Sequence, residues 1–225
     1  GLLYLKGDLD AGMAYFRKQE EVCRQIGKKE GLAEALSGQA MILRAWGGLE
    51  AAQQLLSETE KICRDLNYRN GLQKALNNLG IVLRTKGDLA GALKVLEEAE
   101  SICREIGNKE GLQLALGGLA LISRARGDID SAMVLFREQE AICREIGIKE
   151  GLQIALGGQA VILKDRGRLD ESMQLSMEAE KICREMGYKE GLQRILGNQA
   201  MILRDRGDLD GALALLREAE TICRD

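Results

Sequence analysis

Six cysteines stand at positions 23, 63, 103, 143, 183 and 223, forty residues apart each time. Thiols in that number raise the possibility of disulfides or metal ligation. Equivalent residues of neighbouring packed helices lie about 10 Å apart, whereas bridgeable cysteines need Cα atoms closer than about 7 Å, so the spacing argues against a disulfide ladder. The chain has no histidine and no short cysteine spacing, which leaves zinc without a ligand set. Each cysteine falls seven residues beyond a core position of the same stripe, as Cys103 does from Leu96, so buried, reduced, structural thiols are expected. Serines and carboxylates are plentiful, but the usual general base is missing and no glycine loop follows a strand to cradle phosphate. The sequence therefore predicts no enzyme activity, no metal and no cofactor. A basic row at Arg44, Arg84, Arg124, Lys164 and Arg204 shares the forty-residue interval. It can meet acidic residues or a carboxylate of a partner, or simply place a cation at a helix C-terminus, worth roughly a few tenths of a kcal/mol.

The elements that position these residues repeat with the same period. Glycines recur at 7, 47, 87, 127, 167 and 207 and again at 31, 71, 111, 151 and 191, as do segments such as Ile102-Cys103-Arg104. Each repeat holds two helical patterns. In one A helix, Leu112, Leu116, Leu119, Ala120 and Ser123 fall at three-and-four spacing on one face, and the run ends at Gly127. In the B helix that follows, Ile129, Ala132, Met133, Phe136, Cys143 and Ile146 form a second stripe, with Arg137, Glu138 and Arg144 directed elsewhere. Asp128 is placed to cap helix B and Gly147 to close it, with Asp8, Asp88 and Asp208 at equivalent cap positions. Gly48 and Arg168 replace the aspartate in two repeats, and Asn67 replaces the closing glycine in one.

Proline is absent and aromatics make up 3%, which suits a chain that is nearly all helix. One helix pair cannot bury its second apolar face alone, so neighbouring pairs must stack. The expectation is a single all-α solenoid over residues 1–225, of about five and a half repeats. Gly1 to Lys6 match only the second half of an A helix and Asp225 precedes the expected end of a B helix. The predicted solenoid thus looks truncated at both ends, as a segment of a longer array. The formal charge is −3, from 32 basic and 35 acidic residues mixed along the chain, so nucleic acid is not an expected partner. No apolar run approaches the roughly 20 residues that cross a bilayer, and a cytoplasmic location is expected.

Leu76, Leu79, Gly80, Leu83, Gly87, Leu89, Ala92, Leu96 and Ala99 resemble the signature of the tetratricopeptide repeat, and the pattern recurs over nearly the whole chain. The forty-residue period is similar to the long-helix repeats of Pins-type adaptors and bacterial regulators. The family's final proline is missing, which fits helices that run an extra turn, since interior proline costs about 3 kcal/mol. Gln39, Gln159 and Gln199 at a usually apolar position, and Ser172 and Ser176 in the fifth repeat, depart from the pattern. The resemblance implies a right-handed superhelix whose A helices line a concave groove for peptides or partner helices.

On the A-helix face turned away from the core, Leu114, Gly117, Gly118, Leu121 and Ala125 cluster, and the next repeat places Ile154, Gly157, Gly158 and Val161 there. Outer repeats carry more mixed sets, among them Lys74, Asn77, Asn78, Ile81 and Arg194, Gly197, Asn198, Met201. Such an apolar face predicts a partner-binding groove with Gly117, Gly118, Gly157 and Gly158 as its floor. Leu114, Leu121, Ile154 and Val161 would be its walls, and Arg124 and Lys164 its charged edge. Closer packing between successive A helices explains the same glycines. Gln19 with Gln39, and Gln139 with Gln159, are expected to hydrogen-bond between successive helices, and Glu100 with Arg104 to form a solvated pair. The expected function is a scaffold for a protein or peptide partner. The alternatives are the sensor portion of a larger signalling protein and head-to-tail self-association through uncapped ends.

Overall fold

The computed structural model describes residues 6–224, with side chains described for 9–222. Within that range the chain is a succession of α-helices: α1 (Lys6–Ile26), α2 (Lys29–Ala45), α3 (Leu49–Asp65), α4 (Arg69–Lys86), α5 (Leu89–Glu105), α6 (Lys109–Ala125), α7 (Ile129–Ile146), α8 (Lys149–Asp165), α9 (Leu169–Met186), α10 (Lys189–Asp205) and α11 (Leu209–Arg224). Even-numbered helices are the A helices and odd-numbered ones the B helices. Two compact units divide the chain, residues 1–122 and 123–225. In the first, α1 packs on α2, α2 on α3, α3 on α4 and α4 on α5, and the A helices α2 and α4 also touch. The second repeats the scheme from α7 to α11, with α8 touching α10. Each unit is a stack of the predicted helix-turn-helix pairs.

Local chemistry sets the boundaries. Asp88, Asp128 and Asp208 accept hydrogen bonds from the backbone N–H groups of Gly91, Ser131 and Gly211 at 2.8, 3.2 and 2.9 Å, which satisfies a donor that the first helical turn leaves free. Gly48 and Arg168 make no such cap. The αL turn closing α3 is made by Asn67 at φ 51°, a conformation asparagine tolerates better than most side chains. Asp8, expected as a further cap, lies within α1, and its side chain is outside the described residues. Residues 1–5, Asp225 and the side chain of Cys223, all used in the sequence reading, lie outside the described residues.

The cores are assembled across helix pairs. In the first unit Cys63, Leu72, Leu76, Ala99, Ile102 and Ala115 form one cluster. In the second, Leu156, Ala179, Ile182, Cys183, Ile195 and Leu196 do the same, with Leu215 and Ile222 of α11 against them. Each cluster draws on more than one helix pair, so burial of apolar surface is shared between repeats.

Candidate functional site

The five described cysteines are buried and form no disulfide. Burial pushes the thiols of Cys63, Cys103 and Cys143 up to about 11, because a thiolate loses its hydration there. These groups are inert packing atoms at neutral pH. Their sulfurs sit over the first turn of the next A helix: a Cβ at Gly31, Gly71 or Gly111 would come 2.7, 2.8 and 2.7 Å from the Sγ of Cys23, Cys63 and Cys103. The early A-helix glycines are notches for these sulfurs.

A second set of notches lies mid-helix. A Cβ at Gly38 would meet the ring of Phe16 at 2.5 Å, and one at Gly118 would meet Leu96 Cδ1 at 2.7 Å. One at Gly158 would press into the ring of Phe136, a side chain with no exposed surface. The next A helix fills the space beside Gly157, where Ile195 Cδ1 lies 3.0 Å from a built Cβ. Within each unit these glycines therefore accommodate the chain's own side chains. The signal was present in the sequence, since the protein's two phenylalanines each stand 22 residues before one of these glycines, Phe16 before Gly38 and Phe136 before Gly158.

Among the predicted wall residues, Leu114 on α6 is 49% exposed, and Leu121 is partly exposed. On α8, Ile154 and Val161 are partly exposed, as are Lys164 and, at the end of α6, Arg124. Gly117, Gly157 and Gly158 are buried, and Gly118 is intermediate. Leu114 stands where other A helices carry the exposed Glu34, Lys74 and Arg194. In the first unit a cavity of about 260 Å³ opens between α2 and α4, lined among others by Ser37, Met41, Lys74 and Asn78, with Phe16 beneath.

The polar seam differs from expectation. Gln39, Gln159 and Gln199 donate to Glu20, Glu140 and Glu180 at 2.7, 2.6 and 2.8 Å. The acceptors are not Gln19 and Gln139 but the next residues along the B helices, because a carboxylate accepts an amide N–H more strongly than another amide does. Gln39 and Arg24 together hold the Glu20 carboxyl below its ordinary range. The glutamate-arginine pairs within B helices form as expected, Arg104 reaching Glu100 at 2.8 Å. Arginines also reach the next B helix in a ladder absent from the sequence reading: Arg24 to Glu58, Arg64 to Glu98, Arg144 to Glu178 and Arg184 to Glu218, at 2.6 to 2.9 Å. Buried Gln73, Gln113 and Gln153 form a further row that the sequence reading did not single out.

The basic row divides into two kinds. Lys164 and Arg204 each pair with the following aspartate, Asp165 and Asp205, at 2.8 Å. Ala45, Thr85 and Ala125 stand at that place after Arg44, Arg84 and Arg124. The Nε of Arg44 is buried without an acceptor. Burial, and then the charge of Arg44, lower the Arg84 guanidinium from its ordinary value.

Tetratricopeptide-repeat family models match residues 72–145 and 193–218, on the same helix pairs whose caps, notches and stacking are described above. The matched segments are tetratricopeptide repeats. The repeats resemble those of several solved structures. One is BtubC (BKLC) from P. vanneervenii, at 17% identity and a TM-score of 0.77, covering 96% of this chain and 91% of that one. Another is the apo form of RapI, at 16% identity and 0.78, covering 96% and 77%. A third is a STAND protein with a tetratricopeptide repeat sensor from Pyrococcus horikoshii, at 18% and 0.70, covering 88% of this chain and 31% of that one. Identities this low establish the fold alone. No curated protein sequence matches the chain. The forty-residue unit is a pair of packed helices, each of 17 or 18 residues from α2 to α10. No described helix is long and apolar enough to cross a membrane.

Proposed function

We propose that this protein is a non-catalytic interaction module that holds a peptide or partner helix on the exposed face of its A helices. The observation that carries the reading is Leu114, an apolar side chain 49% exposed at a position that is charged in α2, α4 and α10. Leu121 and Arg124 on α6 extend its patch, and Ile154, Val161 and Lys164 form the equivalent patch on α8. Gly117, Gly118, Gly157 and Gly158 lie beneath these patches, keeping the helices slim where they pack. Aliphatic anchors with a cationic edge suit an amphipathic ligand. A displayed peptide library selected on the protein, followed by titration of enriched peptides against Leu114→Arg and Ile154→Arg, tests this. Both side chains reach solvent, so the variants keep their helical signal. Loss of binding in them supports the reading, and unchanged binding or no enrichment refutes it.

A second reading, a sensor array within a larger signalling protein, is favoured by the likeness to the tetratricopeptide repeat sensor of the STAND protein. The apolar face of α11, where Leu209, Leu213 and Leu216 are 60%, 51% and 49% exposed, favours self-association as an additional property. Sedimentation across concentration tests it, and a strictly monomeric species removes it.

A further inference from the structure

We propose that Asn70, in the pair Asn70-Gly71 that opens α4, is a site of intramolecular deamidation, through which α4 acquires the first-turn carboxylate that its sister A helices already carry. The glycine of the pair is dictated by packing. A Cβ at position 71 would press into the Tyr68 ring and lie 2.8 Å from Cys63 Sγ, and the same notch for a cysteine sulfur recurs at Gly31, Gly111 and Gly191. The residue ahead of that glycine is glutamate in the other A helices, at 30, 110, 150 and 190, and asparagine at 70. Helix α4 accordingly has no acid in its first turn, where α2, α6, α8 and α10 each have one. Nowhere else in the sequence does asparagine precede glycine.

Asparagine amides are thermolabile, and this one is exposed beside an unencumbered nucleophile. The Gly71 N–H belongs to the first helical turn, which offers it no backbone acceptor, and Tyr68 ahead of it supplies no side-chain cap. At the equivalent place in α6 the Gly111 N–H is held by Asn108 Oδ1 at 2.9 Å. Glycine also leaves the nitrogen unshielded by a side chain of its own. When the first turn frays, hydroxide takes the Gly71 N–H proton and the nitrogen attacks Asn70 Cγ. The N–Cγ bond forms, the Cγ–Nδ2 bond breaks, and the nitrogen leaves as ammonia with a proton from water. A second water opens the resulting succinimide. Attack at Cγ gives aspartate in an ordinary backbone, and attack at the α-carbonyl gives isoaspartate with the chain routed through the side chain. The fold favours the acid. Gln73 Nε2 and Asn108 Nδ2 both donate to Asn70 Oδ1 at 3.2 Å, and the departing Nδ2 enters neither bond. A carboxylate keeps both acceptor roles, strengthens them, and adds negative charge at the positive end of α4, one turn ahead of Lys74.

The test incubates the whole chain at neutral and mildly alkaline pH and follows every asparagine by peptide mass spectrometry, with isoaspartyl methyltransferase labelling to separate the two products. Asn70 should gain the mass of amide-to-acid conversion, faster at the higher pH, while Asn67, Asn77, Asn78, Asn108 and Asn198 keep their amides. Glu110→Asn writes the same pair into α6, where Asn108 already caps the glycine, and that pair should react about fivefold more slowly than Asn70, the worth of one N-cap. Asn70→Asp should raise Tm by about 1–3 °C with the helical signal unchanged. An Asn70 that stays amidated while a free peptide of the same sequence converts, equal rates at the two pairs, or an Asn70→Asp chain no more stable than the wild type overturns the proposal.

Discussion

Substituting Gly158 with alanine separates the packing role of the mid-helix glycines from ordinary helix propensity. In an unobstructed helix interior the change stabilises by about 1 kcal/mol, because glycine loses more backbone entropy on folding. At Gly158 the new methyl group would lie no more than 2.7 Å from three ring carbons of Phe136. That ring has no exposed surface and no solvent to retreat into. Overpacking of a close-packed core costs about 1–3 kcal/mol, and an overlap this deep belongs at the upper end. The expected net result is a loss of about 2 kcal/mol, or roughly 4–8 °C in Tm for a chain of this size. Gly197 is the control: a Cβ there meets nothing within 4 Å, so Gly197→Ala should gain about 1 kcal/mol. Chemical denaturation of the wild type, both single variants, Phe136→Leu and the Phe136→Leu/Gly158→Ala pair gives the coupling directly. Relief of the overlap should appear as a favourable interaction of about 1 kcal/mol or more. A stabilising Gly158→Ala, or strict additivity in the cycle, refutes the account of these glycines as notches.

Other outcomes follow from features of the same structure. Arg168→Asp should stabilise by about 1 kcal/mol in urea unfolding by giving α9 the cap that α5, α7 and α11 have, whereas Asp128→Ala should lose about as much. Ser176 is fully buried with its hydroxyl unpartnered, so Ser176→Ala should stabilise by about 1 kcal/mol in the same assay. The raised thiols of Cys63, Cys103 and Cys143 favour the protonated, folded form. Their contribution is therefore complete below the unfolded-state thiol pKa of about 8.5 and is lost as pH rises through about 11, so unfolding midpoints should fall over that interval. The same thiols should react with an aromatic disulfide reagent slowly in the folded protein and rapidly in denaturant at pH 8.

Helices, turns and the buried stripe were legible because they depend on spacing within one element. The alternation of Cys103 with Leu96, the caps at Asp88, Asp128 and Asp208, and the tolerated asparagine at 67 all follow from periods of three and four and from local backbone chemistry. Partners between helices were less legible, since they depend on how two helices are offset. Residue type pairs Gln39 with Gln19, yet the register of α1 against α2 presents Glu20. The ladder from Arg64 to Glu98 spans 34 residues and looks in the sequence like one more pair of surface charges. The glycines of α6 and α8 read equally well as a ligand surface and as close packing, and only the positions of Leu96 and Phe136 show which neighbour each one admits.

The paired volumes have a consequence for how so repetitive a chain keeps its order. Position by position, Phe16 faces Gly38, Leu96 faces Gly118 and Phe136 faces Gly158, while the equivalent places hold Leu56 with Asn78 and Ser176 with Asn198. Hairpins of nearly the same sequence can in principle dock out of turn or exchange between molecules. A hairpin bearing phenylalanine, however, collides with one bearing asparagine, whereas one bearing serine leaves a void against glycine. Mismatched size thus disfavours some wrong dockings, those that set phenylalanine against asparagine or serine against glycine.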